Sequence, residues 1–330
     1  MQRSWRMITK FSELHTLIIY IVFGYTLLLP LALISLRVFD IRRPVQRLRI
    51  YLLTFLTPII AFILYHTVLV KRCASGLAPI WSESAFHMLC AVSEGMLRFF
   101  GPFLGLLTFF AVFKAFAAVL MVKRIEGKAV TADSEVSGTI ETIVAEKSKQ
   151  LGLIPPRVIF SRRDDTAAFT TGFIKPVIVI NESLCGLLEH KEIEAVISHE
   201  LIHIRQRDTI KNWLLYLVRD IALLNPLSSL LLKGYLLEKE VACDRKAALL
   251  ADLKPQEYAA ILLKVWRSIL DRESTGLAIV SSFTGGSDME RRVEALLDRN
   301  GEHVKKSGLV TFLIGFFLFA VTLLFLGLVC

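Results

Sequence analysis

The residues with the clearest chemistry are two histidines and a glutamate in one short string, Ser198-His199-Glu200-Leu201-Ile202-His203. In a helix, residues i and i+4 lie on one face, so both imidazoles of this His-Glu-x-x-His motif can reach a single metal ion. Zinc suits such a site, because a catalytic zinc keeps three protein ligands and an open position where water has a pKa of about 7. Glu200 would then be the general base that accepts a proton from that water.

Two histidines leave a catalytic zinc one protein ligand short, so a third ligand must lie elsewhere in the chain. In the downstream string Glu238-Lys239-Glu240-Val241-Ala242-Cys243-Asp244, helical spacing places Glu240 and Asp244 one turn apart on a common face. Glu240 is the predicted third ligand, and Asp244 is predicted to hydrogen-bond the far nitrogen of a liganding histidine and to fix its tautomer. Without the upstream motif, such acidic residues on a charged helix more often form a solvated surface.

Apolar segments predict that these residues belong to an integral membrane protein. The 330-residue chain is 54% hydrophobic and has a mean hydropathy of +0.56, which is too apolar for a soluble protein. A membrane-spanning helix needs about 20 apolar residues. Four segments reach that length, at 14–36, 50–70, 99–122 and 308–330. The first is longer than the apolar core of a signal peptide, about 7–15 residues, and lacks a cleavage site, so we interpret it as a span.

Basic residues near the ends of the four segments predict their orientation. Ten Lys and Arg lie on the side that holds segment 123–307, and six lie on the other side, which holds loop 71–98. Because cytoplasmic flanks carry the excess of Lys and Arg, 123–307 is predicted to be cytoplasmic in a multi-pass protein of the cell (inner) membrane. Cys73 and Cys90 would then share an oxidising space, where they could pair or remain free thiols. A basic excess at the membrane flanks argues against nucleic-acid binding.

The polar segment 123–307 is long enough to form a domain. An amphipathic helix is predicted over 135–151, and the pattern is helical again from Leu187 onward. Between them, after Pro155-Pro156, three short β-rich runs are predicted at 157–160, 167–171 and 177–180. The predicted fold is therefore a mostly α integral membrane protein. It has three transmembrane helices within 1–122, a cytosolic α+β zinc-metalloprotease domain over 123–307 and a fourth transmembrane helix at 308–330.

One apolar run inside the domain, 213–232, does not fit a clean span. It is interrupted by Arg219-Asp220 and by Asn225-Pro226. Proline interrupts helices and charged residues are costly in the bilayer, so the run predicts a broken, buried or membrane-apposed helix. A fifth span is the alternative.

Several strings resemble those of the BlaR/MecR-type membrane zinc metallopeptidases and, more distantly, of the HtpX and Ste24-like proteases. They are His-Glu-Leu-Ile-His with Arg205-Gln206-Arg207-Asp208 after it, then Asn225-Pro226-Leu227, then Glu-x-Glu-x-x-Cys-Asp. The resemblance implies a gluzincin-like site, with one zinc bound by His199, His203 and Glu240 and with Glu200 as catalytic base. Asp208, within the matching stretch, is a further candidate.

An upstream stretch, Gly172-Phe173-Ile174-Lys175-Pro176, looks like the G-x-x-K-P element of the same family. The run that follows it, Val177–Ile180, could be the edge strand that receives a substrate by β-addition. As a bare pattern, a short apolar run is more often an ordinary core strand.

The sequence also departs from the family. BlaR and MecR proteins continue past the fourth span into an extracellular penicillin-binding sensor, whereas this sequence ends at Cys330. We therefore expect no acylation by β-lactams, and a separate sensor protein is a candidate partner. The Ste24-like branch places a histidine six residues before a C-terminal arginine, but Gly286 stands at that offset from Arg292. Arg292 remains a candidate for transition-state or structural support.

The sequence thus predicts a membrane-bound zinc endopeptidase that cleaves a cytosolic regulator, itself or membrane-protein segments, in signalling or regulated proteolysis. Its predicted partners are the protein or peptide substrate and the lipid bilayer. The alternative is a zinc-stabilised signal transducer or scaffold with little proteolytic activity; Glu200 argues against it, because a structural zinc site closes all four positions and needs no base. A small-molecule transporter is disfavoured, since the spans lack broken-helix pairs and a charged midplane network.

Overall fold

A computed structural model describes most of the chain. The described residues are 21–22, 24–64, isolated positions within 105–120, 134–161, 168–222, 225–273, 278–298 and 308–329. They are mostly helical, with one small three-stranded sheet. The chain divides into two compact units, the first made of Met1–Val112, Tyr216–Glu238 and Val304–Cys330, the second of Phe113–Leu215 and Lys239–His303.

The helices and strands are named here in chain order. The helices are α1 (Gly24–Val38), α2 (Pro44–Leu64), α3 (Ser134–Leu151), α4 (Glu182–Leu187), α5 (His190–Gln206), α6 (Asp208–Ile221), α7 (Leu227–Leu250), α8 (Pro255–Glu273), α9 (Ala278–Leu297) and α10 (Gly308–Val329). The strands are β1 (Arg157–Ser161), β2 (Ala168–Thr171) and β3 (Val177–Asn181).

The first unit contains the apolar helices. Among the described residues, α2 is long and apolar enough to cross a membrane, while α1 and the part of α10 over Gly308–Leu324 are apolar but shorter. Most of the predicted span 99–122 lies outside the described residues, as does loop 71–98 with its two cysteines. The four-span arrangement therefore stays a prediction.

The helix break predicted within 213–232 is present. Helix α6 ends at Ile221 and α7 begins at Leu227. The Asn225 side chain accepts a hydrogen bond from the backbone N–H of Leu227 (3.0 Å) and donates one to the carbonyl of Val22 (2.8 Å). A polar residue inside an apolar run thus starts α7 and also contacts the N-terminal part of the first unit.

The sheet of the second unit has the order β1-β3-β2, in which β3 pairs in parallel with β1 and antiparallel with β2. The three strands predicted from the sequence are confirmed to within one residue. The interpretation of Val177–Ile180 as an edge strand is wrong, because β3 is paired on both sides and all five of its residues are buried. Its run of Val and Ile is typical of a strand buried on both faces. Within the described sheet, the edges are β1 and β2.

Helix α5 is held in the second unit by apolar contacts on two sides. Ile197 and Leu201 belong to a buried cluster with residues of α3 and β3 that include Ile140 and Ile178. Ile202 belongs to another cluster, formed largely by small residues of α7 and by α8. Small residues such as alanine let helices approach closely, so α7 can bring polar side chains near those of α5.

Candidate metal centre

The last two turns of α5 carry the His-Glu-x-x-His motif. The helix begins with a capping box, in which the backbone N–H of Glu189 donates to the carboxylate of Glu192 (2.9 Å). It ends at Arg207, which adopts the left-handed conformation (φ 53°, ψ 42°). The chain turns there and α6 starts at once, and the Asp208 carboxylate in its first turn lies beside His203.

The three predicted ligands lie together. His199, His203 and Glu240 each offer one ligand atom, and these atoms lie within 4.8 Å of one another. The two Nε2 atoms are 3.0 Å apart, and Oε2 of Glu240 lies 3.4 Å from Nε2 of His199 and 3.6 Å from Nε2 of His203. Two imidazoles and a carboxylate are the donor set of a catalytic zinc that keeps a fourth position open. The donor chemistry therefore fits zinc, and metal binding by these residues stays a prediction.

Carboxylates lie on the opposite side of both imidazole rings. Oδ1 of Asp244 is 3.1 Å from Nδ1 of His199, and Oδ2 of Asp208 is 2.8 Å from Nδ1 of His203. A hydrogen bond donated by Nδ1–H leaves the Nε2 lone pair of a neutral imidazole free to bind a metal. Both rings are therefore oriented with Nε2 toward Glu240. The contact predicted for Asp244 is present, and Asp208 makes the matching contact with the second histidine.

Asp244 is fully buried and is held by two other helices. Arg292, on α9, donates to its carboxylate from Nε (2.7 Å) and from Nη2 (2.8 Å). The hydroxyl of Tyr258, on α8, donates to Oδ1 of Asp244 at 3.3 Å and lies 3.3 Å from Nδ1 of His199. Nη2 of Arg292 also lies 4.0 Å from Oε2 of Glu240, so Arg292 remains a candidate for transition-state or structural support.

Glu200 lies against the sheet. Its side chain is buried, and the hydroxyl of Thr170 donates to its Oε2 atom at 2.8 Å. Thr170 belongs to β2, an edge strand of the described sheet. The carboxylate predicted to act as base is therefore held by a residue of the strand along which an extended peptide could pair.

A second group of potential ligands shares one histidine with the first. His203, Asp208 and Cys243 also offer atoms within 4.8 Å of one another. The ligand atom of His203 in this group is Nδ1, which lies 3.7 Å from the buried Sγ atom of Cys243. The same nitrogen faces the carboxylate of Asp208. This second group therefore lies on the far side of the imidazole ring, where Sγ of Cys243 also accepts a hydrogen bond from the side chain of Gln206 at 3.2 Å.

The pKa values of the two histidines reflect the acidic surroundings. Burial disfavours the charged imidazolium, but hydrogen bonds to Asp244 and Glu240 outweigh it and raise the pKa of His199 to about 9. Burial is outweighed in the same way at His203, where hydrogen bonds to Asp208, Cys243 and Glu240 raise the pKa to about 12. The pKa of Glu240 is lowered well below its usual value, since burial is outweighed there by the two histidines. These surroundings stabilise positive charge between the three side chains.

The charges around the site leave an excess that a divalent cation would neutralise. Lys239 is buried, with Nζ 3.6 Å from Oε1 of Glu240 and 3.8 Å from Oδ2 of Asp208. With neutral imidazoles, the site has two cationic side chains against four carboxylates. The cations are Lys239 and Arg292, and the carboxylates belong to Glu200, Asp208, Glu240 and Asp244. The remaining two negative charges match Zn²⁺, because buried charges in proteins are paired or coordinate metals.

Comparison with known protein families identifies the family of this chain. Residues 103–296 match the family described as BlaR1 peptidase M56. The chain belongs to this family. This match confirms the resemblance of its motifs to those of the BlaR1/HtpX-type membrane metallopeptidases.

The curated relatives are similar over part of their length. The regulatory protein BlaR1 of Bacillus licheniformis is 28% identical over 144 residues, which cover 43% of this chain and 24% of BlaR1. The protease HtpX of Buchnera aphidicola is 28% identical over 160 residues, 47% of this chain and 51% of HtpX. An HtpX homologue of Acidiphilium cryptum is 42% identical over 65 residues, 19% of this chain and 23% of that protein. The alignments thus span about half or less of each relative.

Three residues near the site have no sequence signal that would have revealed them. Thr170 lies in a short β-rich run, Tyr258 is an ordinary amphipathic position of α8, and Lys239 lies within a charged string. Tertiary structure brings each of them to the site. Thr170 precedes Glu200 by 30 residues in the sequence, and Tyr258 follows His199 by 59 residues. For Thr170, the alternation of side chains along a strand indicates only that it faces the same side as residue 168 and the opposite side from Thr171.

Proposed function

We propose that this protein is a membrane-bound zinc endopeptidase in which His199, His203 and Glu240 bind the metal and Glu200 is the general base. The observation that carries the proposal is the convergence of two Nε2 atoms and one carboxylate oxygen, with both Nδ1 atoms facing carboxylates. The membership of a peptidase family supports hydrolysis of peptide bonds. The proposed substrates are a cytosolic regulator, the protein itself or segments of membrane proteins.

The chain's own residues would perform the proton transfers of peptide hydrolysis. Bound zinc supplies Lewis acidity, which lowers the pKa of water to about 7 and polarises a carbonyl group. Glu200 accepts a proton from the attacking water and delivers it to the nitrogen of the leaving amine, so that an acid and an amine are released. Thr170 holds one oxygen of that carboxylate, which leaves the other free to act on the water.

The edge strand β2 is the proposed place for the substrate backbone. An extended peptide that pairs with an exposed edge gains main-chain hydrogen bonds, and side-chain pockets add specificity. Thr170 on this strand contacts Glu200. A peptide paired along β2 would therefore have its scissile bond near the base. In this proposal β2, and not Val177–Ile180, is the edge strand that receives the substrate.

We also propose the predicted topology and domain boundaries. Segment 1–122 would hold three spans and 308–330 the fourth, with the peptidase segment 123–307 on the cytoplasmic side. The support is the apolar character of α1, α2 and α10 and the excess of Lys and Arg on the side of the insert. A separate sensor protein is a proposed partner, by analogy with the regulatory role in the name of the BlaR1 relative.

A comparison of new protein termini tests the proposed activity. Cells carrying the wild type should contain protein termini that are absent from cells carrying Glu200→Gln, because the amide cannot accept the proton. Glu290→Gln, at an exposed position of α9, is the matched control and should keep the wild-type termini. Identical sets of termini in the wild type and Glu200→Gln would contradict the proposal.

A further inference from the structure

The turn between β2 and β3 presents an apolar tip on the second unit. Ile174 at this tip is 92% exposed. The ring of Phe173, next to it, packs edge-on against Trp213 of α6 with 6.2 Å between centroids, and Leu214 beside that tryptophan is 48% exposed. We call these four residues, with the exposed Lys175 and Lys211, the tip patch. The metal centre does not use any of them.

The geometry of the turn holds Ile174 outward. Gly172 has φ +97°, a conformation that other residues rarely adopt, and a Cβ atom built on it would lie 2.7 Å from the carbonyl oxygen of Lys175. Pro176, which follows that carbonyl, has a fixed φ angle. The turn is therefore tight and locally constrained, and this constraint keeps its large apolar side chain exposed. Exposed apolar groups that cluster in this way mark interaction sites.

We propose that the tip patch binds the surface of the lipid bilayer, with Ile174 inserted among the headgroups. Aromatic residues such as Trp213 favour the membrane interface because their rings are amphipathic. Exposed lysines attract the anionic lipids of the cytoplasmic leaflet, and Lys175 and Lys211 supply that charge beside the apolar side chains. Insertion also covers an isoleucine that otherwise costs free energy in water. A soluble partner with an acidic groove is the other occupant that the test below must distinguish.

Docking of the tip patch would restrict where the peptidase cuts, an inference that rests on the proposed function. Thr170 contacts Glu200 and precedes Ile174 by four residues on one continuous stretch of chain. At about 3.3 Å per extended residue, the backbone at Thr170 lies at most about 13 Å from the inserted tip. The substrates would then be peptide segments close to the bilayer surface, such as the cytoplasmic ends of membrane-spanning helices. A bond far out in a soluble protein would be a poor substrate.

Photo-crosslinking to lipid tests the docking without any need for activity. The full-length protein, with a benzophenone amino acid at position 174 or at position 249, is placed in vesicles of phosphatidylglycerol and phosphatidylcholine that contain an alkyne-tagged lipid. Leu249 is the matched control, since it is an exposed aliphatic residue (81%) of the same unit outside the patch. We expect about tenfold more tagged lipid on position 174, because only that side chain is inserted among the lipid headgroups. Equal labelling at both positions, or a crosslink from 174 to a soluble protein added as cell extract, would overturn the proposal.

A cleavage assay tests the substrate class. One casein peptide is supplied either free in solution or attached to phosphatidylethanolamine through a short linker. Ile174→Glu should lower cleavage of the attached peptide about tenfold and leave cleavage of the free peptide unchanged, while Leu249→Glu should change neither. Equal loss on both peptides would overturn the restriction to membrane-proximal segments. If the wild type cleaves neither peptide, the proposed peptidase activity fails, and the crosslinking result still decides whether the patch binds lipid.

Discussion

At the scale of residues, the site consists of side chains that hold one another in one orientation. The Nδ1 atom of each of the two candidate histidine ligands faces an aspartate, and each aspartate in turn contacts a cationic side chain of another element. A metal site gains affinity when outer residues orient its ligands. Several buried charges therefore serve to orient the two histidine rings. Buried charges destabilise a protein unless they are paired.

The outer aspartate Asp208 should affect zinc affinity without binding the metal. Asp208→Asn weakens the hydrogen bond to Nδ1 of His203 and permits the wrong tautomer, so the dissociation constant for zinc should rise by about 10-fold to 100-fold. Competition with a chelator of known affinity measures this dissociation constant. Asp252→Asn is the control, because Asp252 is exposed in a left-handed turn that asparagine also adopts. Equal zinc affinities in all three proteins would contradict the orienting role.

Thr170 should position the base. Thr170→Val removes a hydrogen bond donated to a carboxylate and should lower kcat about tenfold with little change in KM. Thr170→Ser keeps the hydroxyl and should restore most of the rate. Thr171→Val is the matched control, since adjacent strand residues point to opposite faces. A serine variant as slow as the valine variant would contradict the positioning role of the hydroxyl, because serine keeps that group.

At the scale of elements, local patterns predicted the helices and strands well and their arrangement poorly. Helix α3 and the three strands follow from periodicity and from the break at Pro155-Pro156. The strand order β1-β3-β2 does not follow from local periodicity, because strand pairing depends on contacts between residues distant in sequence. The His-Glu-x-x-His motif was predictable since its spacing lies within one helix, whereas Tyr258 and Thr170 reach the site only through the packing of α8 and of β2.

A buried ion pair joins three helices of the second unit. Nζ of Lys147, on α3, lies 2.6 Å from a carboxylate oxygen of Glu194, on α5, and donates to the carbonyl of Leu250, on α7, at 3.0 Å. The side chains of Lys147 and Glu194 are 8% and 10% exposed. Burial raises the pKa of Glu194, but hydrogen bonds to Lys147 and Lys191 outweigh it and leave the pKa below its ordinary value.

The lowered pKa makes this pair a pH-dependent source of stability. A carboxyl group whose pKa is lower in the folded chain stabilises it above the unfolded pKa, about 4.3, and loses that contribution as the pH falls through the folded value. Glu194→Gln should therefore lower the free energy of unfolding by about 3 kcal/mol at neutral pH, and the difference from the wild type should shrink below a pH of about 4. Urea unfolding of the detergent-solubilised chain at a series of pH values measures the loss of stability and its dependence on pH.

Glu146→Gln is the control for the ion pair. Glu146 lies on α3 as well, but it is exposed and bonds only to Gln150 in the described contacts of its side chain. Exposed pairs contribute little, so this variant should be within about 0.5 kcal/mol of the wild type. A pH-independent loss at Glu194→Gln would show that shape, and not charge, stabilises this position.

At the scale of the whole molecule, the predicted topology would place the site on the cytoplasmic side of the membrane. Reporter fusions at residue 85 and at residue 150 should report opposite compartments, with 150 cytoplasmic, because the flanks on that side carry ten Lys and Arg against six. Fusions at 40 serve as the control and should agree with 150. Reporters at 85 and 150 on the same side would overturn the four-span layout.

The zinc content of the purified full-length chain tests the central claim most directly. The wild type and Glu200→Gln should each hold one zinc per chain, because Glu200 is assigned to proton transfer. His203→Ala and Glu240→Ala should hold little, since each removes one of three converging ligand atoms. Glu290→Gln controls for exposed substitutions and should match the wild type. Undiminished zinc in His203→Ala, or its loss in Glu200→Gln, would contradict the assignment of this site.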